Sequence, residues 1–224
     1  MLVVVLDSST PAVTAALARV HADGATVLAE RVTVDARAHG ELLAPQVAEV
    51  LDEIGAGPRD LAAVVAGLGP GPFTGLRVGL VTAASMGQTL GIPTYGVCSL
   101  DALAAGASGT CLAASDARRK EIYWAVYEDG KRLSEPAVHR PADVPALLAE
   151  AALAPVVAVG DGALRYATEL DLPVLDEPRY PPAGALAALA ADRVRAGEPG
   201  ETLTPLYLRR PDAAEPGARK PVLP

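Results

Sequence analysis

Apolar residues fill Leu2 to Leu6 without interruption and give way to Asp7-Ser8-Ser9-Thr10, the pattern of a buried central strand ending in a polar turn. Alternation takes over through 12–20 and 25–34, on either side of Asp23-Gly24, and predicts two further strands joined by a hairpin. The chain therefore opens as a three-stranded antiparallel meander. From His39 to Ile54 the period changes: Leu43, Val47, Val50, Leu51 and Ile54 recur at helical spacing, and Gly55 stands where a C-terminal cap is expected. Pro45 suits such a helix only near its first turn or at a kink. A short apolar run, 61–67, leads into the glycine-rich segment 67–75, followed by a helix over 76–90 and a strand over 92–97. Strand, loop, helix and strand in that order make a parallel crossover.

Residues 1–105 thus read as one α/β lobe built on a mixed five-stranded sheet. After the Ala- and Gly-rich stretch 104–109 the pattern restarts. Strands are predicted over 110–116 and 121–127, with a tight turn at 117–120, then a helix over 142–150, a strand over 156–159 ending in Gly160-Asp161-Gly162, and a helix over 183–196. Residues 106–210 read as a second, smaller lobe, and the Pro-rich, charged stretch 211–224 as a flexible tail. There is no repeat at solenoid spacing.

Composition narrows the function classes. Apolar residues make 50% of the 224 positions and charged ones 21%, the balance of a folded globular chain. With 19 Lys and Arg against 27 Asp and Glu the net charge is −8, which disfavours a protein that grips nucleic acid unaided. The apolar N-terminus has no basic leader and breaks at Asp7, too early for a signal peptide or a membrane span, so a cytoplasmic protein without membrane attachment is expected. Cys98 and Cys111 stand apart with no CxxC and no nearby His, the pattern of two buried thiols.

The glycine-rich segment is the strongest local signal. Its backbone amides either cradle an anion at the start of the next helix or form a tight turn with no ligand. No GK[ST] follows, which excludes a P-loop, and Arg77 is the nearby cation. Asp7 with its hydroxyl neighbours could hold a metal-bound phosphate, yet no second carboxylate is visibly paired with it, and a structural turn is the preferred reading. A Ser-His-Asp hydrolase is not supported: there is no GxSxG, and the histidines are His21, His39 and His139. The helix over 76–90 is apolar around nearly its whole circumference, so it is buried on two sides or exposes one face to a second chain.

Read in order, DSST at 7–10, HGELLAP at 39–45, GLGPGPFTGLRVG at 67–79, GIPTYGVCSLDALA at 91–104, DARRKEIYWAVY at 116–127 and PLYLRR at 205–210 resemble the TsaB (YeaZ) family over nearly the full chain. The resemblance implies the fold of actin, sugar kinases and Hsp70 (ASKHA), with two related lobes facing a cleft. It implies a non-catalytic scaffolding subunit that docks the catalytic paralogue TsaD, works with the ATPase TsaE, meets tRNA mainly through the partner and forms a homodimer when alone. TsaD carries a His-x-x-x-His metal site after the strand matching 92–97, whereas Gly96 to Leu103 hold no histidine. No cofactor, metal or catalytic residue is therefore expected. The partner surface is expected on the two helices, at His39, Leu42, Leu43, Gln46, Leu76, Arg77, Val78, Leu80 and Ala83. A vestigial nucleotide or anion site is expected at Asp7, Ser8, Ser9, Gly69, Gly71, Thr74 and Gly75. The rival expectation is an ATP-binding kinase-like enzyme or a metallopeptidase of the glycoprotease type, with Asp7, Asp116 and the turn at 160–162 as parts of its cleft.

Overall fold

The predicted meander forms: β1 (Leu2–Asp7), β2 (Ala12–His21) and β3 (Gly24–Val34) pair antiparallel in chain order, with Leu6 opposite Ala15 and Thr14 opposite Val32. The structure, a computed structural model, describes residues 1–209; the tail expected over 211–224 lies outside the described residues. Helix α1 (His39–Ile54) ends at Gly55, whose φ of 68° is the left-handed cap conformation that glycine adopts without strain. The helix continues through Pro45 without stopping there. Pro45 lies on the exposed face, so the carbonyl that loses its amide partner is left to water. Strand β4 (Leu61–Gly67), helix α2 (Phe73–Leu90) and strand β5 (Thr94–Val97) complete the crossover, and the sheet order is β3-β2-β1-β4-β5. Helix α2 starts at Phe73, inside the glycine-rich segment, where Pro72 supplies the extended entry.

Both faces of this sheet are covered, which is why β1 and β4 read as unbroken apolar runs. Val4, Leu6, Val64 and Ala66 pack against α1 and α2, while Val3, Val5, Ala63 and Val65 face the opposite layer. That layer is α7 (Ala183–Ala196), whose Leu186, Ala187, Ala190 and Val194 are fully buried on it. The last helix thus crosses back to the first sheet, although its place in the sequence put it in the C-terminal half. Its run of alanines lets the helix approach the sheet closely, and Arg193 ties it to the Gly96 carbonyl and to Glu201.

Between the two crossings lies a second five-stranded sheet. It follows the short helix α3 (Ser99–Ala104) and comprises β6 (Thr110–Arg118), β7 (Glu121–Glu128), β8 (Lys131–Arg132), β9 (Ala137–His139) and β10 (Val157–Val159). Its order is β10-β6-β7-β8, with β9 also on β7. Helices α4 (Val144–Glu150), α5 (Asp161–Arg165) and α6 (Ala167–Leu170) cover one face through Val144, Leu148, Ala163 and Leu170. Leu100, Leu103 and Ala104 of α3 cover the other. Two mixed sheets with flanking helices are the two-lobed ASKHA-like architecture that the resemblance implies. The β6–β7 turn is unusual: Arg118, Arg119 and Lys120 have φ values of 59°, 56° and 60°. The left-handed region costs a residue with a Cβ about 1–2 kcal/mol, and here three occupy it in succession. No helix among the described residues is long and apolar enough to cross a membrane.

Candidate functional site: a sealed strand end and two outer helices

The acid at the end of β1 faces inward. Asp7 is 1% exposed; its Oδ1 accepts from the Ser9 amide (2.9 Å) and Ser9 Oγ (2.8 Å), and its Oδ2 from Ser99 Oγ (2.6 Å). Burial pushes the carboxyl above its ordinary value, opposed by the hydrogen bonds from Ser99 and Ser9. A Cβ on Gly67 would lie 1.7 Å from Asp7 Oδ2, and one on Gly71 would lie 2.2 Å from the Ser9 carbonyl oxygen. The glycine loop is therefore pressed against the strand end, and these glycines serve close approach. Ser8 Oγ donates to the Gly75 carbonyl (2.8 Å) and accepts from the Gly79 amide (2.9 Å), pinning the first turns of α2 to β1. Ser99 Oγ also accepts from the Gly69 amide (3.2 Å), and the Ser99 amide donates to the Gly69 carbonyl (2.7 Å). His39 Nε2 lies 2.8 Å from the Thr10 carbonyl, which only a protonated ring nitrogen satisfies.

The structure thus brings the seven residues of the expected anion site together, but turns most of them against one another. Asp7, Ser8, Ser9, Gly69 and Gly71 are buried; Thr74 is exposed and Gly75 half-buried. Asp7 has no face open to a metal-bound phosphate. What remains open is a cleft of about 400 Å³ beside the start of α2, lined by Thr74, Gly75, His39, Arg37 and Arg118, with Ser8 and Thr10 at its back.

The expected partner surface is redistributed in the same way. His39, Leu43, Gln46, Leu76, Leu80 and Ala83 are each at most 6% exposed, taken up by the chain's own core. Leu43, Leu76, Leu80 and Ala83 pack on the sheet, and Gln46 Nε2 donates to Thr33 Oγ1 (2.8 Å). These side chains present no surface to a partner. Of the nine positions, Arg77 is exposed and Leu42 and Val78 are half-buried. The outward face of α2 is Val78, Val81, Ala84 and Ser85, with Val81 63% exposed. Beside it α1 turns Ala44, Pro45 and Ala48 outward, flanked by Glu41, Glu49, Asp52 and Glu53. Arg31 on β3 pairs with Glu49 (3.1 Å) and Glu53 (2.6 Å) along that edge.

Helix α3 begins directly after β5, where TsaD would carry its histidines, and here Ser99 takes up the hydrogen bonds just described. Among the described residues no group of three or more His, Cys, Asp or Glu side chains is placed to hold a metal ion. The model of the TsaD family, tRNA N6-adenosine threonylcarbamoyltransferase, matches residues 26–174. A solved structure from Pseudomonas aeruginosa, described as similar to peptidase YeaZ, superposes with a TM-score of 0.76 at 32% identity, covering 93% of this chain and 99% of that one. The chain belongs to the TsaB (YeaZ) branch of the TsaD family. An uncharacterized protein of Mycobacterium tuberculosis is 49% identical over 211 residues, 94% of this chain and 93% of its own. The Bacillus subtilis tRNA threonylcarbamoyladenosine biosynthesis protein TsaB is 34% identical over 116 residues, about half of either chain.

Three contributors to this region escape a reading of the sequence. Ser99 holds Asp7 from a different segment, with no local pattern to announce it. Tyr207 accepts from Arg77 Nε (2.7 Å) and stacks on Phe73, joining the segment after α7 to α2. The basic turn 118–120 is visible as three successive cations, but not its position at the mouth of the cleft.

Proposed function

We propose that this chain is a non-catalytic subunit of the machinery that places a threonylcarbamoyl group on a tRNA adenosine, and that it acts by docking the catalytic paralogue TsaD through the outer faces of α1 and α2. Kinship with TsaB (YeaZ) carries the reading: the likeness to the YeaZ-like solved structure spans 93% of the chain, and the sequence match to Bacillus subtilis TsaB spans half of it. The geometry supports it. A kinase-like centre needs an acid free to hold a phosphate-bound metal, and Asp7 is enclosed by Ser9, Ser99 and Gly67. The outward row Val78, Val81, Ala84 and Ser85 offers small side chains that let a second helix approach closely, and the acids along α1 call for basic groups on the partner. TsaE joins through the TsaD complex, and the same face closes a homodimer when TsaD is absent, so the two associations compete.

Val81→Glu is the substitution to make. At 63% exposure it leaves stability within about 0.5 kcal/mol, yet places a charge at the centre of the proposed contact. Light scattering of the chain mixed with its own organism's TsaD is expected to show a heterodimer with the native chain and at least about tenfold weaker association with the variant, accompanied by loss of tRNA modification. Leu76→Glu is unsuitable, because Leu76 is fully buried and a charge there unfolds α2 from the sheet. An intact heterodimer with Val81→Glu would move the docking surface elsewhere, and tRNA modification or ATP hydrolysis by this chain alone would end the non-catalytic reading.

A further inference from the structure

Acidic side chains outnumber basic ones 27 to 19 in the whole chain, yet the cleft between the lobes reverses that balance. Arg37, Arg118, Arg119, Lys120 and Arg165 line a hollow of about 510 Å³ in which Asp116 is the one carboxylate among the described lining residues. Arg118 and Arg119 continue into an adjoining hollow of about 390 Å³ together with Arg209, where no described lining residue is acidic. Arg118 and Arg37 also line the cleft beside the start of α2. Arg118 is common to all three, so the hollows share a wall. Asp116 engages Arg165 at 3.0 Å, and Arg209 pairs with Glu121. Gathering like charges in this way opposes folding through mutual repulsion.

Two further observations bear on what these cations serve. Arg118, Arg119 and Lys120 occupy left-handed backbone, where glycine would sit without strain. Next to them, Phe73 and Tyr207 stack with centroids 5.1 Å apart, the Arg77 guanidinium lies 3.8 Å over the Phe73 ring, the two rings keep 49% and 41% of their surface exposed, and Tyr123 lines the same hollow. Exposed rings beside a row of guanidinium groups are the equipment for unpaired nucleic acid, whose bases stack on aromatic faces while its phosphates meet cations.

We propose that this cleft binds an unpaired RNA strand, with phosphates on Arg37, Arg118, Lys120 and Arg165 and a base on the exposed face of the stack formed by Phe73, Tyr207 and Arg77. The choice of RNA rests on the tRNA-modification reading above; the cleft chemistry does not depend on the TsaD surface. A nucleoside triphosphate offers similar phosphate chemistry, but cations spread over three adjoining hollows suit a polymer better than a single phosphate tail.

The test is fluorescence anisotropy of the full chain with a short labelled unpaired RNA, between about 50 and about 200 mM salt. Binding is expected to weaken with salt. The double substitution Arg118→Gly/Lys120→Gly should weaken it by at least about tenfold and flatten the logarithmic salt slope by about 1.4, or 0.7 for each lost phosphate contact. Melting temperature should hold or rise, since glycine suits the turn. Phe73→Ala should weaken RNA by about fivefold or more while leaving heparin binding unchanged. The inference is overturned by any of four results: no RNA binding by the native chain, full binding by the glycine variant, equal effects on RNA and heparin throughout, or displacement of RNA by stoichiometric ATP. A heterodimer with TsaD that persists in the glycine variant separates failure here from failure of the docking surface.

Discussion

Asp161→Asn is expected to stabilise this protein at neutral pH and to lose that advantage in acid. Asp161 opens α5, next to Asp116, whose amide donates to its Oδ1 at 3.3 Å. Burial, and secondarily the Asp116 charge, raise its carboxyl from 3.8 to about 6, against the help of the Asp116 and Gly162 amides and Arg165. Between those two values the native state holds a proton that the unfolded chain has released, so stability falls as pH rises and then levels off above about 6. A rise of that size corresponds to about 3 kcal/mol of penalty on the ionised form at a pH of about 7.5. Asn removes the charge but exchanges one acceptor for a donor, returning about 1 kcal/mol. The net gain is about 2 kcal/mol, or roughly 4–8 °C in Tm for a chain of this length. Melting curves of both proteins from about pH 4 to about pH 8 measure it, and the gain should disappear on acidification and give way to a deficit approaching about 1 kcal/mol, because the native Asp161 is then itself neutral and only the exchanged acceptor separates the two proteins. A lower Tm for the variant at neutral pH, or a difference independent of pH, would refute the account of Asp161 as a buried, reluctant anion.

Ser8→Ala removes both the donor to the Gly75 carbonyl and the acceptor for the Gly79 amide, and should cost about 1–3 kcal/mol, seen as a lower urea midpoint with unchanged m; an unchanged midpoint would mean that the strand end does not pin α2. Burial pushes the Cys98 thiol up to about 12 and the Cys111 thiol up to about 11. Both therefore stay protonated at about pH 8, and iodoacetamide should label them only on unfolding; rapid labelling of the native protein would contradict their enclosure.

Local pattern was enough to set element types. Helix α1 runs from His39 to Ile54, as the spacing of its apolar residues and the glycine after it predict, and α7 from Ala183 to Ala196, the range expected for it. The unbroken apolar runs of β1 and β4 announced a sheet covered on both faces. Helices α5 and α6 are too short for a period to show, and emerge only where Ala163 and Leu170 meet the second sheet. The kinship with TsaB was legible as well, since it resides in ordered stretches of sequence.

What the sequence left open was direction. Around α2, Leu76 and Val81 look equally apolar, and only the covering of one side by β1, β4 and α1 makes Leu76 core and Val81 surface. Asp7 reads alike as a phosphate-site acid and as a turn residue until Ser99, from another segment, closes over it. The return of α7 to the first sheet and the convergence of Arg37, Arg118 and Arg165 on one cleft are likewise long-range outcomes. Periods of about 2 and about 3.6 arise within a few residues and so are written locally. Which face of an element is buried depends on segments far away in the chain, and that is decided only when the layers pack.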